Sequence, residues 1–168
     1  MRRIKESDMV FEFKDEQVFL MEGSELHASV GEGIKTVEFI ASLEESRLDF
    51  VEAKSSSPQP GNQKDFLGFI NEISEKFLHS FALYLSAAIG RHPKYSIPGK
   101  VGSSDNRQAS YKFILIINGH QIEWLSPIKD ALEANIFAHR QIWKSEVVVM
   151  NEELAKKYNL VREVKVVN

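Results

Sequence analysis

Gly33-Ile-Lys-Thr-Val-Glu-Phe-Ile-Ala-Ser-Leu-Glu-Glu-Ser-Arg-Leu-Asp-Phe-Val-Glu-Ala-Lys54 sets two acids and a lysine into runs that otherwise have the composition of a buried sheet. Two β-prone runs, Lys35–Ala41 and Arg47–Lys54, are separated by the polar connector Ser42-Leu-Glu-Glu-Ser46, which is of hairpin length. Side chains alternate across a strand, so Thr36, Glu38 and Ile40 share one face of the first run. In the second run Leu48, Phe50, Glu52 and Lys54 share a face, and Asp49, Val51 and Ala53 take the other. Glu52 and Lys54 therefore point the same way, and Asp49 points away from them. Whether Glu38 joins the pair depends on strand register, which alternation alone does not fix. If it does, two carboxylates and an ammonium meet among apolar groups that ordinarily exclude charge.

Working outward toward the N-terminus, Met9–Phe13 and Gln17–Met21 are β-prone runs joined by Lys14-Asp15-Glu16, predicting an opening hairpin or a pair of edge strands. Ser24 is placed to cap a short helix from Glu25 to about Val30, ended by Gly31 and Gly33. Downstream of Lys54, Ser55-Ser-Ser-Pro-Gln-Pro-Gly-Asn62 must end the strand and can form one wall of a cleft beside the acids. A long helix over Lys64–Ile89 follows, with Phe66, Ile70, Ile73, Phe77, Phe81 and Leu85 at helical spacing. Arg91–Ala109 has no periodicity and reads as a long surface loop whose Arg91, Lys94, Lys100 and Arg107 carry most of the local positive charge. Tyr111–Ile117 is the nearly continuous apolar run of a strand covered on both faces. Asn118-Gly119 signals a tight turn, with His120–Trp124 extending a hairpin beyond it. Ser126-Pro127 then opens a helix to about Lys144, Val147–Met150 reads as a strand, and Asn151 starts a last short helix. Val161–Val167 reads as a terminal strand or an exposed tail.

This order describes an α/β (α+β) protein with a mixed central sheet flanked by helices. At 168 residues and 43% hydrophobic, the chain supports one core, and so a single domain over 1–168. Its parts are N-terminal strands in 1–23, a core in 24–117 and C-terminal helices and a strand in 118–168. A formal net charge of -3 supplies no global basic field, so a polyanion would need a local patch. The absence of cysteine excludes disulfides, thiolate zinc sites and cysteine nucleophiles, and suits a reducing cytoplasm. No run approaches the ~20 apolar residues of a membrane span, and Met1-Arg-Arg-Ile-Lys leads into charge instead of a signal core. A cytoplasmic protein without a membrane partner is expected. The five histidines lack metal-ligand spacing, and neither a Walker-type phosphate loop nor a serine-triad motif is present.

Chemically, Glu38 and Glu52 offer hard oxygen ligands that, with the backbone carbonyl of Ala53, suit Mg2+ or Mn2+. Lys54 beside such an ion can orient or help deprotonate an attacking water and offset charge growing on a phosphate. The set suits hydrolysis of a phosphodiester. Ser55 and Ser56 are placed to touch a phosphate or to cap a turn, and Arg91, Lys94, Lys100 and Arg107 to meet the backbone of a nucleic acid or to stay solvated as loop charges.

The pattern Gly33-x-x-x-x-Glu38-Phe-Ile, the connector, and Phe50-Val-Glu-Ala-Lys54 resembles the PD-(D/E)xK phosphodiesterases, the restriction-endonuclease-like superfamily with an αβββαβ core. The resemblance spans roughly Ser24 to Ile117. It implies a metal-dependent nuclease acting on DNA, or on RNA, with Glu38 and Glu52 binding the metal and Lys54 assisting the water. Glu38 stands where the family more often has Asp, and both provide carboxylate oxygens. Glu25 matches the accessory acid that the family often takes from its first helix, and its residue-level alternative is a first-turn acid that favours the helix dipole. The Gln-x-x-x-Tyr signature of the exonuclease branch is missing. Two other readings stay open. Glu52 and Lys54 can be solvated charges on an exposed strand face. Alternatively, the fold can serve as a catalytically inactive interaction or regulatory module in a bacterial multi-protein system, with protein partners or a second copy of the chain.

Overall fold

The computed structural model describes residues 1–164. In chain order the elements are β1 (Arg2–Glu6), β2 (Met9–Phe13), a 3-10 turn, β3 (Val18–Leu20), α1 (Glu25–Ser29), β4 (Phe39–Ala41), β5 (Arg47–Lys54) and α2 (Gln63–Ala88). They continue with α3 (Gly99–Gly102), β6 (Ser110–Ile117), α4 (Leu125–Asn135), α5 (Phe137–Trp143), β7 (Glu146–Asn151), α6 (Glu152–Lys157) and β8 (Glu163–Val164).

Five strands form a mixed sheet in the order β3-β4-β5-β6-β7. The first three pair antiparallel, while β5, β6 and β7 run parallel. Each parallel step needs a crossover, supplied by α2 between β5 and β6 and by α4 and α5 between β6 and β7. Both steps move in the same direction across the sheet, so crossovers of one hand put their helices on one face. The core on that face joins Phe50, Phe77, Phe81, Tyr84 and Phe113 to Ile128 and Leu132 of α4. Phe77 and Phe113 stack at 4.9 Å, and Phe50 packs edge-on against Tyr84 at 5.8 Å.

The other face is covered by a small sheet, β1-β2-β8, whose Phe11 and Phe13 meet Phe39 of β4 at 5.1 and 5.3 Å. The β1–β2 turn is made by Ser7 and Asp8, both at positive φ (49° and 61°), the backbone of a tight hairpin turn. Among the described residues no helix is long and apolar enough to cross a membrane.

Several expectations change here. Met9–Phe13 does not pair with Gln17–Met21: β2 pairs with β1, and β3 joins β4 in the large sheet. The run Lys35–Ala41 is a strand only over Phe39–Ala41, because the Val37 amide leaves the ladder to donate to Ser80 Oγ of α2 at 2.8 Å. Asn118-Gly119 turns the chain, but no hairpin follows. β5 and β7 already occupy both edges of β6, so the chain coils into a 3-10 turn at Ile122–Trp124. The helix expected to run to Lys144 is broken at Ile136 (φ -111°, ψ 27°) into α4 and α5. Arg91–Ala109 is pinned: Tyr84 and Tyr111 hydroxyls both donate to Asn106 Oδ1 at 3.0 Å. Of the expected terminal strand, Glu163–Val164 pairs with β2, and 165–167 lie outside the described residues.

Candidate functional site

Glu52 and Lys54 occupy the C-terminal end of β5, on the face covered by α2. In the parallel ladder Phe50 is level with Phe113, Glu52 with Leu115 and Lys54 with Ile117, so these share the face of the aromatic core. Phe39 stands opposite Val51 and Ile40 opposite Phe50, and Glu38, the residue just before β4, lies outside the paired ladder. The Glu38 carbonyl is held by the Met21 amide at 3.0 Å, which ties the chain after β3 to the same spot. The carboxyl ends of parallel strands are where open α/β sheets usually place their ligands.

Glu52 is fully buried, at 0% exposure, and is therefore not a solvated surface charge. Its Oε1 accepts a hydrogen bond from Lys76 Nζ at 2.8 Å and lies 3.4 Å from Lys54 Nζ. Its Oε2 is equally buried and has no hydrogen-bond partner among the described residues. Burial raises the Glu52 carboxyl above its usual range, against the opposing pull of Lys76 and then Lys54. Lys54 is half-buried and donates to Glu72 Oε1 of α2 at 3.2 Å.

Glu38 is pushed up to about 8, first by burial, then by the negative charge of Glu52 and by a carboxyl–carboxyl hydrogen bond with Glu22. Glu6, at the tip of β1, is also raised, by burial and by Glu22, and it feels the charge of Lys76. Burial disfavours the Lys76 ammonium, but Glu52, Glu22 and Glu38 outweigh that and hold it charged. Lys76 of α2 thus pairs with Glu52, and Glu6, Glu22 and Glu38 lie within range of its charge.

The remaining sequence-predicted residues are dispersed. Ala53 lies between Glu52 and Lys54, level with Ile116, with its side chain in the opposite core. Ser55 and Ser56 are exposed directly after β5. Glu25 is exposed on α1 and lines a groove with Phe19, Lys94 and Tyr95, while the acid from this region that meets Glu38 is Glu22. Lys100 lines a groove with Glu44 and Glu45 beside the β4–β5 connection, at the far end of β5 from Lys54. Arg107 pairs with Asp105 at 3.3 Å, and Arg91 is exposed past the end of α2. These four basic residues are not brought to Glu52. Among the described residues, no group of three or more His, Asp or Glu side chains is arranged to hold a metal ion.

Lys76, Glu72, Glu22 and Glu6 were not singled out by sequence. Lys76 had a legible signal: it falls between Ile73 and Ser80 on the buried stripe of α2, where a lone charge needs a buried partner. No protein-family model, no curated protein and no solved structure matches this chain.

Proposed function

We propose that the chain is a metal-dependent phosphodiesterase of the PD-(D/E)xK, restriction-endonuclease-like kind, acting on DNA in preference to RNA. The observation that carries this reading is the buried Glu52 with Lys54 Nζ 3.4 Å from its Oε1, on a strand paired antiparallel with β4, which Glu38 immediately precedes. The antiparallel run β3-β4-β5, followed by α2 and the parallel strand β6, also favours it. One departure is that α1 lies between β3 and β4, where an αβββαβ order puts its helix ahead of three strands.

The donors are the hard oxygens a divalent cation prefers, one of them the buried Glu52 Oε2 that no described protein group satisfies. Glu38 and Glu52 would hold magnesium or manganese, with the Ala53 carbonyl as a further donor. When bound, such an ion supplies Lewis-acid polarisation of a phosphoryl oxygen. Glu38 must first give up the proton that its surroundings favour. Lys54, tethered by Glu72, orients the attacking water and offsets charge on the phosphate. Exposed Ser55 and Ser56 stand at the end of the same strand, where they can donate to a phosphate oxygen.

The test is cleavage of single- and double-stranded DNA and RNA with magnesium or manganese, comparing wild type with Glu52→Ala and Lys54→Ala. Activity that depends on both residues supports the reading, and activity that survives both substitutions removes this pocket as the catalytic centre. A second reading, a non-catalytic interaction or regulatory module, is favoured by one observation: Lys76 already neutralises Glu52. It expects no cleavage under any of these conditions.

A further inference from the structure

Lys76 stands where a cation is needed and is itself that cation. It projects from the middle of α2, is only 8% exposed, and donates to Glu52 Oε1 at 2.8 Å. Glu6, Glu22 and Glu38, from three other segments of the chain, lie near enough to feel its charge, but its hydrogen bond goes to Glu52. The other nearby lysine is drawn aside: Lys54 is 3.4 Å from the same Oε1 but donates to Glu72 at 3.2 Å. Glu52 is therefore satisfied asymmetrically, with both ammoniums on Oε1 and none on the buried Oε2.

An ammonium at hydrogen-bond distance from a carboxylate and a divalent ion on that carboxylate repel one another strongly in a buried setting. Lysine has a flexible stem and three rotatable donors, so it can retract without unfolding the helix that carries it. We propose that Lys76 is a built-in counter-ion that a divalent cation must displace from Glu52, so that the pocket alternates between a lysine-filled and a metal-filled state. The proposal rests on the reading of Glu38 and Glu52 as a metal-binding pair, but not on any nuclease activity. In the lysine-filled state the wild-type protein binds metal weakly, because the apparent affinity falls in proportion to the fraction of molecules with Lys76 withdrawn.

The experiment uses the full chain and Mn2+ alone, with binding followed by titration calorimetry. Lys76→Gln is expected to bind Mn2+ at least about tenfold more tightly than wild type, and the gain is lost in Lys76→Gln combined with Glu52→Gln. A second measurement needs no variant: an amine-acylating reagent read by mass spectrometry should label Lys76 faster at saturating Mn2+, with exposed Lys64 as the internal control. Equal or weaker Mn2+ binding by a folded Lys76→Gln, or a Lys76 still protected at saturating Mn2+, overturns the proposal. If Lys76→Gln fails to fold, the labelling of wild type decides alone. Tighter Mn2+ binding without cleavage of any nucleic acid defeats the nuclease reading and leaves this one standing, and cleavage with unchanged Mn2+ affinity does the reverse.

Discussion

The Val37 amide donates to Ser80 Oγ at 2.8 Å, a buried bond between the chain entering β4 and the middle of α2. It fixes the backbone one residue before Glu38 to the helix that carries Lys76 one turn earlier. Strand and helix thereby hold their charged groups at a set separation, and neither can slide without breaking this bond.

Ser80→Ala should leave the Val37 amide buried and unpaired. A loss of about 1–3 kcal/mol in urea unfolding is expected, the usual cost of orphaning a buried donor. Ser80→Thr, which keeps the hydroxyl, should lose less. Equal stability of Ser80→Ala and wild type would contradict the geometry.

Glu52→Gln removes the charge that holds Lys76. Breaking one side of a buried pair commonly costs about 3–5 kcal/mol, and a loss of that order is expected in chemical denaturation. Adding Lys76→Gln should recover part of it, because the second substitution removes the stranded ammonium. A double-mutant cycle measures the coupling, and additivity of the two losses would mean that the pair does not interact.

Glu38 makes stability depend on pH in a defined direction. Its folded value, about 8, lies above the ordinary 4.5 of a glutamate, so between these values the folded protein holds a proton that the unfolded chain releases. The resulting stabilisation is complete below 4.5 and is lost as pH rises toward 8. Glu38→Gln, which cannot ionise, should flatten this decline in denaturation curves measured across the interval. Binding of Mn2+ should move oppositely in wild type, tightening as the pH rises through about 8.

A β-carbon on Gly102 would lie 1.6 Å from the Ile97 carbonyl oxygen, and one on Gly99 (φ +68°) would lie 2.5 Å from the Glu16 carbonyl oxygen. Both contacts are with backbone, which cannot step aside as a side-chain tip can. Gly102→Ala should therefore displace the segment around α3 and lower the melting temperature, with faster proteolysis between Arg91 and Ala109. Gly61→Ala, whose added carbon meets nothing within 4 Å, is the matched control.

The central strands were legible because their signal is compositional. Arg47–Lys54 and the apolar run to Ile117 are strands in the structure, and the stripe from Phe66 to Phe81 lies on α2, as the 3.6-residue period requires. What escaped sequence was decided by non-local partners. β2 prefers β1 to β3 because Ser7 and Asp8 make the tighter turn, and His120–Trp124 is denied a strand because β6 has no free edge. The same holds at the site: alternation places Glu52 with Lys54 and helical spacing puts Lys76 on the buried stripe of α2, but Glu22 and Glu6 reach it through tertiary folding that no spacing encodes.

The parallel pairing of β5 with β6 bears on how the chain acquires its pocket during synthesis. Level neighbours Glu52 and Leu115 are separated by the whole of α2 and the segment after it, so Glu52 leaves the ribosome well before the strand that shelters it. Asn118, which follows β6, donates to the Ser7 carbonyl at 3.0 Å and docks the turn beside Glu6. Until β6 pairs, the edge of β5 that it covers stays open to water. The full burial of Glu52 therefore waits on a strand made after the helix that supplies its ammonium partner.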